Sequence, residues 1–154
     1  MGKLKKGNKA PSFELSDQKG NKVCLADSKG RKILIYFYPK ADTPGCTKQS
    51  CALKHARNSL TAQDVDIVGI SPDASAAQLK FDKKYKLGFP LLSDEDHVVA
   101  KAYGVWGEKS MYGNTYMGII RSSFLVDETG KISETWYKVS PANTVPNALK
   151  ALNK

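Results

Sequence analysis

The first half of the chain alternates between short apolar segments and polar breaks. SFEL and KVCL alternate apolar and polar residues on either side of DQKGN, whose Asp and Gly suit a turn, so they predict an N-terminal β-hairpin. The apolar runs KILIYFY and DVDIVGI predict strands buried on both faces. Between them, Ala52, Leu53, Ala56 and Leu60 recur at helical spacing. This strand-helix-strand order implies a parallel pair of strands.

The second half continues with shorter elements. SAAQLKFDKKY predicts an amphipathic helix over 75–85, FPLLS a short strand, and DEDHVVAKAYG a helix that begins acidic and ends at glycine. SSFLVDETGKISETWY predicts a second hairpin, and VPNALKAL a last helix. The order β-β-β-α-β-α-β-α-β-β-α predicts an α/β fold whose mixed central β-sheet is flanked by helices. With 154 residues and no repeat or linker, we expect a single domain over 1–154.

Composition and charge argue against a membrane protein, a secreted protein and a nucleic-acid-binding protein. The hydrophobic fraction of 41% and the charged fraction of 25% are ordinary for a globular protein, and no apolar run reaches the length of a membrane span. The N-terminal segment lacks the apolar core of a secretory signal, so we expect a cytoplasmic protein. The net charge of +9 comes from scattered lysines without a zinc-finger or RNA-binding motif. We therefore expect a solvated basic surface that could favour an acidic protein partner, and not a nucleic-acid-binding protein.

Two of the three cysteines fall in the segment FYPKADTPGCTKQSC. In a reducing compartment, such cysteines favour metal binding or catalysis over a disulfide scaffold. Thr43 is a good N-cap and Pro44 suits the first helical position, so Cys46 is predicted near the third position of a helix. This helix follows the carboxyl end of a buried strand, where ligands gather in open α/β sheets. Free backbone N–H groups and the helix dipole favour an anion there, such as a thiolate.

The helix dipole alone does not stabilise such a thiolate sufficiently. Moving a thiol from a pKa of about 8.5 to about 6 takes roughly 3.4 kcal/mol, whereas the dipole supplies at best about 2 kcal/mol. A nucleophilic Cys46 therefore requires a nearby cation, and the arginine candidates are Arg31, Arg57 and Arg121. Arg57 lies three turns along the same helix, whereas Arg121 opens a strand that could pair with KILIYFY. We therefore predict that Arg121 is the cation.

The spacing of Cys46 and Cys51 has a mechanical consequence. Residues i and i+5 of a regular helix have Cα atoms roughly 8.7 Å apart. A disulfide needs Cα atoms about 4.4–6.8 Å apart. The two cysteines can therefore pair only if the first turns of the helix unwind, and we expect an intact helix when they are reduced and a locally unfolded one when they are oxidised.

Other interpretations of these cysteines remain open at this point. Cys46 could be a buried structural thiol, and Cys51 could be present without a redox role, so that an external thiol completes a one-cysteine cycle. Cys46, Cys51 and His55 could contribute to a metal site in a non-catalytic metal- or nucleic-acid-binding domain, although C-x4-C is a poor metal spacing. Cys24 is expected to be a small packing residue of the hairpin, with a redox role as the alternative.

Several motifs resemble those of a known enzyme family. Pro39, Thr43 and Cys46 match the peroxiredoxin active-site pattern P-x3-T-x2-C. The C-x4-C spacing, followed in order by LLSDED, YGVWGEKS and GIIRSSFLVD, resembles the bacterioferritin comigratory protein (BCP/PrxQ) subfamily. The resemblance runs from APSFELSDQKG to the last helix. It implies a thioredoxin-like fold and a thiol peroxidase with an antioxidant role, without a metal or an organic cofactor.

The resemblance also implies roles for individual residues. Cys46 is the expected peroxidatic thiol, which attacks hydrogen peroxide or an organic hydroperoxide and becomes a sulfenic acid, and Cys51 is the expected resolving thiol. Thr43 is expected to hold the peroxide, Arg121 to stabilise the thiolate, and Pro39 to shield the site from water. The backbone N–H groups of Gly45 and Cys46 are expected to face the peroxide oxygens. Thioredoxin or a similar thiol is the expected reductant, and the subfamily suggests a monomer.

Overall fold

A computed structural model describes residues 3–152 as thirteen helices and strands. In chain order, the elements are β1 (Glu14–Ser16), β2 (Lys22–Cys24), β3 (Lys32–Phe37), α1 (Pro44–Ala62), β4 (Val65–Ser71), α2 (Ser75–Tyr85), β5 (Leu91–Ser93), α3 (Val98–Ala102), β6 (Trp106–Met111), β7 (Asn114–Ile119), β8 (Ser122–Val126), β9 (Ile132–Trp136) and α4 (Thr144–Leu152).

Seven of the strands form one mixed sheet in the order β2-β1-β5-β4-β3-β8-β9. Strands β3, β4 and β5 are parallel, whereas β8 and β9 add to one side in antiparallel fashion. The N-terminal hairpin of β1 and β2 joins the other side through an antiparallel bridge to β5. The predicted mixed central sheet and N-terminal hairpin are therefore confirmed.

Strand β3 separates two apolar cores. Ile33, Ile35 and Phe37 face one core, and Leu34 and Tyr36 face the other, because successive side chains of a strand point to opposite faces. All five are essentially fully buried, as the near-continuous apolar run predicts. Helices α1, α2 and α4 cover the second core, and α3 covers the first. Within residues 3–152, none of the helices combines the length and the apolar character of a membrane span.

The β6–β7 hairpin is an element that the sequence analysis missed. It forms a separate two-stranded sheet outside the main one. Its segments WGEKSM and NTYMGI lack a regular apolar alternation, because most of β7 is exposed and packs on no core. The two-residue turn has positive φ at both Tyr112 (54°) and Gly113 (81°), which is the geometry of a hairpin turn with the correct twist.

The helix predicted from DEDHVVAKAYG is shorter than its pattern suggests. It covers only Val98–Ala102, and the acidic residues precede it instead of forming its first turn. The Asp94 carboxylate accepts hydrogen bonds from the backbone N–H groups of Val99 and Ala100. His97 has a φ of 62° directly before the helix and stacks on Trp106 with ring centroids 3.8 Å apart, so both side chains have packing roles.

Candidate active site

Cys46 lies where the sequence places it, at the third position of α1 after the carboxyl end of β3. Its side chain belongs to the second core and is 0% exposed. The helix starts with Pro44, and its first turn is closed by the Thr47 N–H, which donates to the Thr43 carbonyl at 2.8 Å. The thiol is therefore held at the positive end of a long helix.

The loop between β3 and α1 is fastened to the neighbouring elements by carboxylates. The Ala41 N–H donates to Asp73 Oδ2 at 2.7 Å. Asp42 has a φ of 61° and accepts hydrogen bonds from the Lys84 ammonium (3.0 Å) and the Tyr85 hydroxyl (2.9 Å). The hydrogen bond from Lys84, followed by that from Tyr85, lowers the pKa of Asp42. These contacts fix the entrance of the chain into α1.

Arg121 reaches Cys46 from the start of β8. The antiparallel register pairs Phe37 with Ser122, so the residue before Ser122 lies beside the carboxyl end of β3. The guanidinium Nη2 donates to Cys46 Sγ at 3.4 Å. Gly45 permits this approach, because a Cβ there would lie 3.1 Å from Nη2. The structure thus brings together Cys46 and the arginine that the sequence analysis selected.

Gln49 is a site residue that the sequence analysis missed. Its Oε1 accepts a hydrogen bond from Arg121 Nη1 at 2.7 Å, and its Nε2 donates to Thr144 Oγ1 at 2.9 Å. The Thr144 hydroxyl in turn donates to the Ser140 carbonyl at 3.2 Å. Gln49 and Thr144 are both 0% exposed. This series of hydrogen bonds holds the guanidinium through Nη1, while Nη2 contacts the thiol.

Thr43 occupies the N-cap position, but its hydroxyl does not cap the helix. It donates instead to the Lys40 carbonyl at 2.9 Å, which corrects the expected N-cap interaction. Because the hydroxyl donates its hydrogen in this contact, its oxygen lone pairs remain free to accept a hydrogen bond. Among the residues that the structure describes, no side chain caps the first N–H groups of α1, and these include those of Gly45 and Cys46. Pro39 is half-buried in the same loop.

Cys51 lies in the same helix as Cys46, and both thiols are free. Its half-buried side chain packs against the second core. Since both residues are helical in this state, the spacing argument applies, and a disulfide between them requires the start of α1 to unwind.

A layer of tyrosines underlies the start of α1. The Tyr36 and Ser50 hydroxyls lie 2.8 Å apart, and the Tyr38 hydroxyl donates to Gln78 Oε1. Burial raises the pKa of both tyrosines well above the ordinary value, so these phenols stay neutral. The Tyr36 and Tyr38 rings stack with centroids 5.4 Å apart. The layer therefore supplies an apolar, uncharged support beneath the reactive segment.

Cys24 lies in β2, opposite Glu14 in the hairpin register. Burial and the nearby carboxylates of Glu14 and Asp27 raise the pKa of its thiol. A raised thiol pKa disfavours the reactive thiolate. Across residues 3–152, no group of three or more His, Cys, Asp or Glu side chains is arranged to hold a metal ion.

The chain is similar to known proteins over most of its length. The sequence matches the AhpC/TSA family over residues 6–135. It is 49% identical to peroxiredoxin Bcp of Escherichia coli over 143 residues, which cover 93% of this chain and 92% of that protein.

Solved structures agree with this match. A structure of the Xanthomonas campestris bacterioferritin comigratory protein, studied for its alkyl peroxide reduction activity, superposes with a TM-score of 0.86 at 34% identity, covering 92% of this chain and 90% of that chain. A mutant of Xylella fastidiosa PrxQ superposes with a TM-score of 0.90 at 29% identity over 100% of both chains. The fold is therefore the thioredoxin fold of the peroxiredoxins, and the chain belongs to the AhpC/TSA family as a thiol peroxidase of the BCP/PrxQ type.

Proposed function

We propose that Cys46 is the peroxidatic thiol and that the protein reduces hydrogen peroxide and organic hydroperoxides with it. The observation that carries this assignment is the 3.4 Å contact between Arg121 Nη2 and the buried Cys46 Sγ at the start of α1. A helix N-terminus and a guanidinium act on the same sulfur, so the two stabilising contributions required for a thiolate are both present.

In the first step, the Cys46 thiolate attacks the terminal oxygen of the hydroperoxide. An S–O bond forms and the O–O bond breaks; the departing oxygen takes the electron pair and then a proton from solvent to give water or an alcohol. In this proposal the Thr43 hydroxyl, which already donates to the Lys40 carbonyl, accepts a hydrogen bond from the peroxide, and the uncapped N–H groups of Gly45 and Cys46 bind its oxygens. Arg121 stabilises the charge that moves from sulfur to oxygen. Pro39 shields the loop from water.

In the second step, Cys51 resolves the sulfenic acid at Cys46. The Cys51 thiol attacks the oxidised sulfur, an S–S bond forms and water leaves. The start of α1 unwinds to allow this bond. A dithiol reductant such as thioredoxin then returns both thiols to the reduced state. We place this cycle in a cytoplasmic, monomeric enzyme of one domain.

Thiol counting after one equivalent of hydrogen peroxide tests the assignment. The reduced protein should lose two thiols within one turnover, Cys46→Ser should lose none rapidly, and Cys24→Ser should behave as the parent. Mass mapping should then find Cys46 linked to Cys51. Rapid thiol loss that persists in Cys46→Ser would contradict the peroxidatic role.

Cys51→Ser tests the resolving step separately. This variant should consume one equivalent of peroxide and stop at a sulfenic acid that a dimedone probe labels. If Cys51→Ser instead turns over with thioredoxin at the parental rate, an external thiol resolves Cys46 and the cycle uses one cysteine.

A further inference from the structure

Lys109 brings a second positive charge to the neighbourhood of Cys46. It lies in β6, opposite Tyr116 of β7, and its side chain is half-buried, which is unusual for a lysine. The stem lies over Gly118, because a Cβ added there would be 3.1 Å from Lys109 Cδ. The ammonium donates to the Ile119 carbonyl at 2.8 Å. This contact directs it along the hairpin toward the start of β8.

The Lys109 ammonium lies close to the start of β8, because the Ile119 carbonyl that it binds comes two residues before Arg121, the residue that contacts Cys46. Burial lowers the pKa of Lys109, the charge of Arg121 lowers it further, and Cys46 opposes this shift. Both site residues therefore act on the ammonium electrostatically, although neither is its hydrogen-bond partner. The Ile119 carbonyl is the one acceptor that Lys109 Nζ contacts within residues 3–152, which leaves N–H groups of the ammonium for a ligand.

Lys109 and Arg121 have a nearby group that can become an anion, which is the Cys46 thiol. Arg121 donates to Gln49, a neutral amide, and to Cys46. In the described part of the chain, no carboxylate lies within ion-pair distance of Lys109 or Arg121. A thiolate at Cys46 would neutralise only one of the two charges. The neighbourhood of Cys46 therefore keeps a surplus positive charge when its thiol is ionised.

We propose that Lys109, supplied by the β6–β7 hairpin, is a second cation of the peroxidatic site and stabilises the negative charge of the thiolate and of the departing oxygen. This inference rests on the proposed role of Cys46. The S–O bond forms and the O–O bond breaks as described above, and the ammonium lowers the energy of the developing oxyanion. Lys109 therefore changes the rate of the peroxide step without contributing a bond to sulfur.

Single-turnover kinetics with hydrogen peroxide tests this role. Lys109→Met keeps the apolar stem but removes the charge and should slow Cys46 oxidation about tenfold. Lys109→Arg restores a cation and should react within about twofold of the parent. Lys101→Met is a matched control, because Lys101 is an exposed residue of α3, on the opposite face of the sheet, and its rate should not change.

The pH profile separates this role from a purely structural one. The groups that face Lys109 are Arg121, Cys46 and the phenol of Tyr116. As the pH rises, the parental rate should fall when Lys109 loses its proton. This alkaline decline should be absent in Lys109→Arg, whose guanidinium stays charged, and should persist in Tyr116→Phe.

Two results would overturn the inference. One is parental reactivity in Lys109→Met, and the other is an unchanged alkaline decline in Lys109→Arg, which would leave Lys109 only as an anchor of the hairpin through Ile119. Circular dichroism of each variant verifies the fold. If the parent itself does not lose two thiols with one equivalent of peroxide, the proposed function fails, whereas a reactive parent with an equally reactive Lys109→Met refutes the role of Lys109 alone.

Discussion

Gln49 is the residue that connects Cys46 and its arginine to the C-terminal part of the chain. It accepts from Arg121 and donates to Thr144, and both bonds are buried. A buried donor or acceptor without a partner costs about 1–3 kcal/mol. We therefore expect the amide to contribute to stability and, through the orientation of the guanidinium, to the rate of Cys46 oxidation.

Gln49→Leu should separate these two roles when it is compared with Thr144→Val. Gln49→Leu releases Arg121 from its partner, so we expect Cys46 oxidation to slow about tenfold and the free energy of unfolding to fall by about 1–3 kcal/mol. Thr144→Val removes only the hydroxyl to which Gln49 donates and leaves the hydrogen bond between Gln49 and Arg121 in place. We expect a comparable loss of stability with peroxide reactivity close to that of the parent. Stopped-flow kinetics and urea unfolding measure both quantities. Parental peroxide reactivity in Gln49→Leu would show that Gln49 does not orient Arg121.

Arg121 could be predicted from the sequence, whereas Gln49 could not. The apolar strand that follows Arg121 indicated that this strand lies in the centre of the sheet beside β3. A thiolate at Cys46 also needs a nearby cation, and Arg121 is the arginine that satisfies both requirements. Gln49 is a polar residue in a helix, which a sequence pattern assigns to the solvent side. Its complete burial depends on the packing of α1 against residues 140–144, a contact 95 positions away along the chain.

At the level of elements, the first turns of α1 hold several interactions that the proposed disulfide between Cys46 and Cys51 would disrupt. Arg121 and Thr144 bind Gln49 there, and Tyr36 binds Ser50. All of these partners lie outside α1, whereas the later part of the helix packs through Leu53 and Leu60 on the second core. The unwinding is therefore expected to stop before the apolar half of the helix.

Hydrogen exchange should detect this boundary. In the oxidised protein, the amides of residues 47–51 should exchange faster than in the reduced protein, because their helical hydrogen bonds are lost. The amides of residues 56–62 should keep their protection. Cys51→Ser treated with one equivalent of peroxide is the control, because a sulfenic acid without a disulfide should leave the helix intact. Uniform protection of α1 in the disulfide form would contradict the geometric argument.

The strands of the main sheet could be predicted because their burial requires a recognisable pattern of apolar residues. Strand β3 is buried on both faces and therefore apolar throughout, which gives a strong signal. The β6–β7 hairpin lacks this constraint, since Glu108, Ser110 and Tyr112 face solvent. Its turn contains Gly113 but has Tyr112 at a position where Asn or Asp is usual, so the common hairpin signature is missing.

For the whole molecule, the excess of 24 Lys and Arg over 15 Asp and Glu residues gives a net charge of +9. A net charge of this size affects encounters with charged partners over distances of about a Debye length, roughly 10 Å at 0.1 M salt. Hydrogen peroxide is neutral and gains little from such a field. A protein reductant of negative net charge gains in association rate, because opposite charges steer the two molecules together.

The two halves of the catalytic cycle should therefore respond differently to salt. With a thioredoxin of negative net charge, the second-order rate constant for reduction of the oxidised enzyme should fall several-fold between about 0.02 M and about 0.3 M salt. Oxidation of Cys46 by hydrogen peroxide should change less than twofold over the same range. Reduction by dithiothreitol, a small uncharged dithiol, is the control and should also be insensitive to salt. A reduction by thioredoxin that does not depend on salt would show that the basic charge of the chain serves solubility and has no part in recognition of the reductant.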